Sequence, residues 1–83
     1  MRIKKLRDDL QKYLHKHNLT AKFDKAKTLF EYDPFYPSLH VELLEPRHRL
    51  IYSFRLDRKY RALFIYTGES EIEIIAFTNH YKL

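Results

Sequence analysis

The first apolar residues of the chain recur at steps of three and four positions, which is the spacing of one face of a helix. Lysine, arginine, aspartate and glutamine fill most of the positions between them. The pattern predicts an amphipathic helix from the start of the chain to about His17. Its core-facing stripe consists of Ile3, Leu6, Leu10, Tyr13 and Leu14.

A second helix is predicted directly after the first. Thr20 is a suitable N-cap, because its hydroxyl can accept a hydrogen bond from a free N–H of the first turn. Asp33–Pro34 should end the helix near Tyr32, since the residue before a proline avoids helical geometry. The apolar stripe of this helix consists of Phe23, Ala26, Leu29 and Phe30. Two helices with one stripe each are expected to form a hairpin that covers another layer.

That layer is predicted to be a sheet, because the second half of the chain alternates apolar and polar residues. A short extended piece at His40–Leu44 and a turn at Glu45–His48 precede three strands, at Arg49–Asp57, Tyr60–Tyr66 and Glu71–Phe77. Tight connections join these strands into an antiparallel meander, and the even-numbered residues of the first two strands face the core. Met1–Ile3 is too short to be predicted as a further strand.

The fold is therefore predicted to be α+β, with an N-terminal helical hairpin packed on one face of a three- to four-stranded, mainly antiparallel sheet. A chain of 83 residues supports one hydrophobic core, so we expect residues 1–83 to form a single domain.

Two arginines are predicted to oppose each other in this sheet. If the turn between the first two strands of the meander centres on Arg58, Arg55 and Arg61 face each other across the hairpin. Directly opposed like charges are destabilising. Either solvent and Asp57 relieve the repulsion, or an anion lies between the two guanidinium groups.

The composition favours a polyanionic partner. Lys and Arg number 16 against 11 Asp and Glu, which gives a net charge of +5, and cationic surfaces bind nucleic acids through phosphate contacts. A single glycine, Gly68, does not suffice for a phosphate-binding loop, so phosphate contacts should come from side chains. Because cysteine and long apolar stretches are absent, we expect a cytoplasmic protein with neither disulfides nor a membrane segment.

The five histidines do not have the spacing of a metal site. His15 and His17 are two positions apart, so they point to different faces of a helix. His40 and His48 belong to separate loops or strand ends without a carboxylate cluster. We therefore expect neither a metal nor another cofactor.

The C-terminal His80–Tyr81 pair is the best candidate for acid–base chemistry. An imidazole with a pKa near about 6.5 can act as an acid or a base at neutral pH. Together with a base and cations, it would suit cleavage of RNA through the 2′-OH of the RNA itself. For His80 taken alone, a solvated side chain is the alternative.

Two internal segments and the C-terminal pair carry a family resemblance. The segments are Pro34–Leu39 and Tyr52–Arg61, with Glu42 between them and His80–Tyr81 at the end. They resemble the RelE/ParE superfamily of toxin–antitoxin toxins, and within it the YoeB-type and YafQ-like mRNA interferases. The resemblance implies a RelE-like fold. It also implies a metal-independent, ribosome-dependent endonuclease that cleaves mRNA in the ribosomal A site.

The same resemblance implies roles for individual residues. Glu42 matches the general base, His80 the general acid, and Tyr81 the neighbouring tyrosine that orients the substrate. Arg55 and Arg61 match phosphate-binding arginines on adjacent strands, and Arg61 also counts as a catalytic residue. Further candidates for binding RNA or phosphate are Arg49, Arg58 and Lys59.

Several alternatives stay open. Glu45 or His40 could supply the base in place of Glu42. A ParE-like inhibitor of DNA gyrase would share the fold and act by binding alone, and a catalytically degenerate homologue would lack the activity. Family members usually begin with a strand, and YoeB-type toxins end at the tyrosine, whereas Lys82–Leu83 follow it here. The expected partners are a cognate antitoxin, the ribosome and mRNA, with operator DNA expected only for the toxin–antitoxin complex.

Overall fold

A computed structural model describes residues 1–79 of the chain. Its helices and strands, in chain order, are β1 (Arg2–Ile3), α1 (Asp8–Lys16), α2 (Thr20–Tyr32), β2 (Glu42–Leu43), β3 (Tyr52–Arg55), β4 (Tyr60–Gly68) and β5 (Glu71–Asn79). Single turns of 3₁₀ helix at Pro37–Leu39 and Arg47–Arg49 flank β2. The predicted α+β class, with its helical hairpin and antiparallel meander, is confirmed.

The described strands form one sheet in the order β1-β5-β4-β3-β2. β1 runs parallel to β5, and all other neighbours are antiparallel. The sheet has five strands where three to four were predicted. The difference lies at β1, because Met1–Ile3 is too short to be predicted as a strand, whereas β2 falls within the extended piece predicted at His40–Leu44.

The prediction that Ile3 belongs to the first helix is wrong. Ile3 lies in β1 opposite Ile72 and is only 5% exposed. Its N–H donates to the carboxylate of Glu31 at 2.9 Å, and the N–H of Lys4 donates to the carbonyl of Ile72 at 2.9 Å. The three-residue step from Ile3 to Leu6 fits a helix, but pairing with β5 buries the side chain, and Glu31 accepts the N–H that faces away from β5.

The helices begin slightly differently from their predicted limits. α1 begins at Asp8, where Asp8 and Asp9 face the positive end of the helix dipole. Thr20 is the first residue of α2 rather than its N-cap. The N–H of Phe23 donates to the carbonyl of Leu19 at 2.8 Å, so the first helical hydrogen bond already closes on Leu19. α2 ends at Tyr32, as predicted.

The core lies between the helical hairpin and one face of the sheet. Phe54, Ala62 and Phe64, at even-numbered positions of β3 and β4, are fully buried on this face, as predicted. The ring of Phe30 in α2 lies 5.1 Å from that of Phe54 and 5.3 Å from that of Phe64, measured between centroids. These aromatic contacts hold α2 over the centre of the sheet.

Strands β2 and β3 begin later than predicted because a residue in the left-handed backbone conformation precedes each of them. His40 has a φ of 44° and Leu50 a φ of 55°, and each closes a 3₁₀ turn. Extended pairing therefore begins only at Glu42 in β2 and at Tyr52 in β3. The turn backbone at His40 brings its carbonyl group towards β4, which matters for the site.

Candidate functional site

The face of the sheet away from the helices, which we call the open face, carries a group of polar side chains at paired positions of neighbouring strands. Glu42 lies opposite Ser53, and Arg55 lies opposite Arg61. Thr78 of β5 lies opposite Arg61 on its other side. Directly paired residues point to the same face of a sheet. The opposition of Arg55 and Arg61 is confirmed, and we call these five residues the Arg61 cluster.

A β-bulge brings β5 into this arrangement. Phe64 pairs with Ile74 but Leu63 pairs with Ala76, so Ile75 is an extra residue in β5. The extra residue shifts the alternation of side chains by one position. Beyond the bulge, Phe77 is 9% exposed in the core, and the next residue, Thr78, falls on the open face beside Arg61.

Arg61 is the most constrained member of the cluster. It is 7% exposed, and its Nε donates to the hydroxyl of Ser53 at 2.8 Å. Its Nη2 donates to the backbone carbonyl of His40 and lies 3.5 Å from the carbonyl of Ser53. The guanidinium group thereby joins three segments, namely the turn before β2, strand β3 and strand β4.

Among residues 1–79, Glu42 provides the negative charge beside Arg61. Its Oε2 lies 4.0 Å from Nη2 of Arg61, and its side chain is 57% exposed. Burial lowers the pKa of Arg61 below its ordinary value, the carboxylate of Glu42 opposes that effect, and the neighbouring Arg55 adds to it. An arginine nevertheless stays protonated in proteins, so the cluster holds a fixed positive charge beside an accessible carboxylate.

The two arginines of the cluster differ in their contacts within the described residues. Within residues 1–79, Nε and Nη2 of Arg61 take part in hydrogen bonds or ion pairs, whereas Nη1 does not. Arg55 is half-buried and has no ion pair within the same range. Arg55 is therefore the more accessible cation of the cluster, and Arg61 is the more firmly held one.

The remaining basic candidates lie outside this cluster. Arg58 and Lys59 are exposed in the turn between β3 and β4, where the N–H of Lys59 donates to Asp57 at 2.8 Å. Arg49 lies beside Tyr52 at the opposite end of β3 from Arg55. The structure thus brings Arg58 near Arg55 and separates Arg49 from both.

The two alternative bases are less well arranged than Glu42. Glu45 lies in the loop after β2, with its carboxylate 3.9 Å from the guanidinium group of Arg47. His40 is an exposed residue, and it contacts Arg61 through its backbone carbonyl rather than through its imidazole. Among the three candidates, Glu42 alone has its acidic side chain within 4.0 Å of Arg61.

His80 and Tyr81 lie outside the described residues. The last described strand residues are Thr78, opposite Arg61, and Asn79, opposite Tyr60. No group of three or more His, Cys, Asp or Glu side chains in residues 1–79 could hold a metal ion. None of the helices described is long and apolar enough to cross a membrane.

Sequence reasoning missed the two groups that hold Arg61. Ser53 is part of the motif Tyr52–Arg55, but the sequence assigns it no role. Its complete burial, which the structure shows, is what reveals the role. The carbonyl of His40 depends on a left-handed backbone, for which the side chain gives no direct signal. Ser53 lies two positions before Arg55, which pairs with Arg61, so its diagonal position on the same face of the hairpin is the sequence feature that indicates this contact.

The two helices on one face of a five-stranded mixed sheet define an α+β protein with the RelE-like fold. A solved structure described as the YoeB/ParE toxin from Agrobacterium tumefaciens is similar to this chain with a TM-score of 0.71. The match covers 98% of this chain and 100% of that chain, at 17% sequence identity. The likeness confirms the predicted fold. No family model matches the chain, and no curated protein matches it.

Proposed function

We propose that this protein is the toxin of a type II toxin–antitoxin system and cleaves mRNA on the ribosome without a metal ion. The observation that carries the proposal is the pairing of Glu42 and Arg61, 4.0 Å apart on the open face of the sheet. Arg55 stands opposite Arg61 and adds a second cation. The RelE-like fold, shared with a protein described as a toxin, supports the same assignment.

The proposed reaction is a transesterification within the RNA. Glu42 takes the proton of the ribose 2′-OH, and the 2′-oxygen attacks the adjacent phosphorus. The bond from phosphorus to the 5′-oxygen then breaks, and His80 donates a proton to that oxygen. The products are a 2′,3′-cyclic phosphate and a 5′-hydroxyl. Tyr81 is proposed to orient the substrate beside His80.

Arg61 is proposed to stabilise the negative charge that develops on the phosphate oxygens. Its hydrogen bonds with Ser53 and His40 fix the guanidinium group before substrate arrives. A donor fixed in this way needs no rearrangement during the reaction, which is the basis of electrostatic stabilisation in active sites. Arg55 is more accessible and is proposed to bind the phosphate in the ground state as well as in the transition state.

The edges of the sheet support an antitoxin as partner. β1 pairs only with Glu71 and Ile72, and β2 pairs only with Tyr52 and Ser53. The remaining lengths of β5 and β3 have backbone groups at which an extended peptide could add a strand. Given the net charge of +5, we propose that the antitoxin segment is acidic.

A cleavage assay on programmed ribosomes tests the proposed function. Purified protein should cut mRNA at the A-site codon, leave free RNA almost intact, and produce ends with a cyclic phosphate and a 5′-hydroxyl. The same preparation is assayed for inhibition of DNA gyrase supercoiling. Inhibition of gyrase without mRNA cleavage would assign the protein to the ParE-like binding toxins, and absence of both activities would indicate a degenerate homologue.

His80 has a matched control within the chain. We expect His80→Ala to lose about 10² to 10⁴ in cleavage rate, the usual contribution of a general acid. His48→Ala, which removes an exposed imidazole beyond β2, should cleave normally. Equal activity of the two variants would remove His80 from the mechanism.

A further inference from the structure

A second basic region lies at the edge of the sheet, next to the Arg61 cluster. It is a cleft of about 350 Å³ between α2, the Pro37–Leu39 turn and the end of β3. β2 begins only at Glu42, so the last residues of β3 have no partner strand on this side. The polar and charged side chains that line the cleft are Lys22, Lys25, Ser38, Arg55, Asp57 and Arg58.

The charges of this edge cleft are unbalanced. Asp57, the acidic residue among the described residues that line it, is already occupied, because its Oδ2 lies 2.7 Å from Nζ of Lys22. The other oxygen, Oδ1, accepts the backbone N–H groups of Lys59 and Tyr60 at 2.8 and 2.7 Å. These contacts also hold the turn between β3 and β4 against α2. Asp57 is therefore committed to the fold and does not neutralise the other cations of the cleft.

Three cations of the edge cleft have no counterion among the described residues. Within residues 1–79, no ion pair involves Lys25, Arg55 or Arg58. Like charges gathered along one cleft repel each other, and an anion relieves that repulsion. The hydroxyl of Ser38 adds a neutral donor, so the cleft combines fixed positive charge with hydrogen-bonding capacity.

Arg55 connects the edge cleft with the Arg61 cluster. Its side chain lines the cleft, while its Cα lies opposite that of Arg61 in the hairpin. Opposed Cα atoms in an antiparallel pair are about 5 Å apart. A chain of regularly spaced negative charges could therefore run from Arg61 past Arg55 to Lys25 and Arg58 without leaving the protein surface.

We propose that the edge cleft binds a backbone phosphate of single-stranded RNA next to the phosphate held by Arg61. Lys25 and Arg58 are its charged donors, and Ser38 donates a hydrogen bond. The proposal rests on the proposed function, because it extends the path of that substrate across the edge of the sheet. It assigns a binding role to α2, whose lysines belong to no recognised motif of the chain.

The test measures RNA binding without cleavage. A short single-stranded RNA with 2′-O-methyl ribose cannot react, and its binding to the full chain is followed by fluorescence anisotropy over a range of salt concentrations. We expect Lys25→Ala to weaken binding several-fold and to reduce the slope of log K against log salt by about 0.7, the value for one phosphate contact in a single strand. Lys25→Arg should restore both quantities.

Lys12→Ala is the matched control, because it removes the same charge from an exposed position of α1. It should leave the salt slope unchanged. Equal slopes for Lys25→Ala and Lys12→Ala, or no binding by the unmodified protein, would overturn the proposal. If the salt slope depends on Lys25 but the protein cuts no mRNA on ribosomes, the proposed phosphate site in the cleft stands and the proposed function is refuted. Failure of the phosphate site and failure of the proposed function are therefore distinguishable.

Discussion

The hydrogen bond between Ser53 and Arg61 should make a measurable contribution to stability. Ser53 is fully buried and Arg61 is 7% exposed, so Ser53→Ala leaves a charged donor without its acceptor and without access to water. Hydrogen bonds to charged groups are worth about 1.5 to 3 kcal/mol. We expect a loss of about 2 kcal/mol, which for a domain of this size lowers the Tm by about 8 to 16 °C.

The assay is urea unfolding followed by far-UV circular dichroism. Ser70→Ala, at an exposed turn position, is the control and should stay within about 0.5 kcal/mol of the unmodified protein. In an Arg61→Met background, where the donor is absent, Ser53→Ala should cost much less than in the unmodified chain. The reasoning is refuted if Ser53→Ala behaves like Ser70→Ala, or if its cost is the same in both backgrounds.

Three further predictions concern the rest of the fold. Burial of the Asp57 carboxyl favours its neutral form, but hydrogen bonds from Lys22 and the backbone outweigh this and lower its pKa. Its stabilising effect is complete above the unfolded value of about 3.9 and is lost as pH falls through the folded pKa, so the stability gap between the protein and Asp57→Asn should close in acid. Phe30→Ala should cost about 3 to 5 kcal/mol in thermal unfolding, against less than about 0.5 kcal/mol for the exposed Phe35→Ala. Glu31→Ala removes the acceptor of the Ile3 N–H and should speed hydrogen exchange at that amide, whereas an unchanged rate would show that the carboxylate does not hold β1.

The hairpin of β3 and β4 could be predicted because its information is local. The two-residue alternation fixes which side chains face the core, and the position of the turn fixes the register. The opposition of Arg55 and Arg61 follows from these two facts alone. The edge strand β1 could not be predicted in the same way. Ile3 pairs with Ile72, far along the chain, and a two-residue strand has no periodicity of its own.

The candidate site shows the same division. The types of its side chains could be predicted, and the alternation of β3 and β4 places Arg55 and Arg61 on one face. The face of Glu42, in the two-residue β2, is set by its pairing with Ser53. The burial of Arg61 could not be predicted, because it depends on a backbone carbonyl at a left-handed residue and on a serine from the neighbouring strand. Lys25 was missed because helix residues join the edge of the sheet only in the folded protein.

In the proposed function, Glu42 acts as the base of an RNA-cleaving site. The most direct test compares Glu42→Gln with Glu45→Gln in mRNA cleavage on programmed ribosomes, since both changes remove one exposed carboxylate and keep the shape of the side chain. We predict a loss of about 10² to 10⁴ in cleavage rate for Glu42→Gln and normal cleavage for Glu45→Gln. Equal rates for the two variants, or a loss confined to Glu45→Gln, would contradict this account of the site.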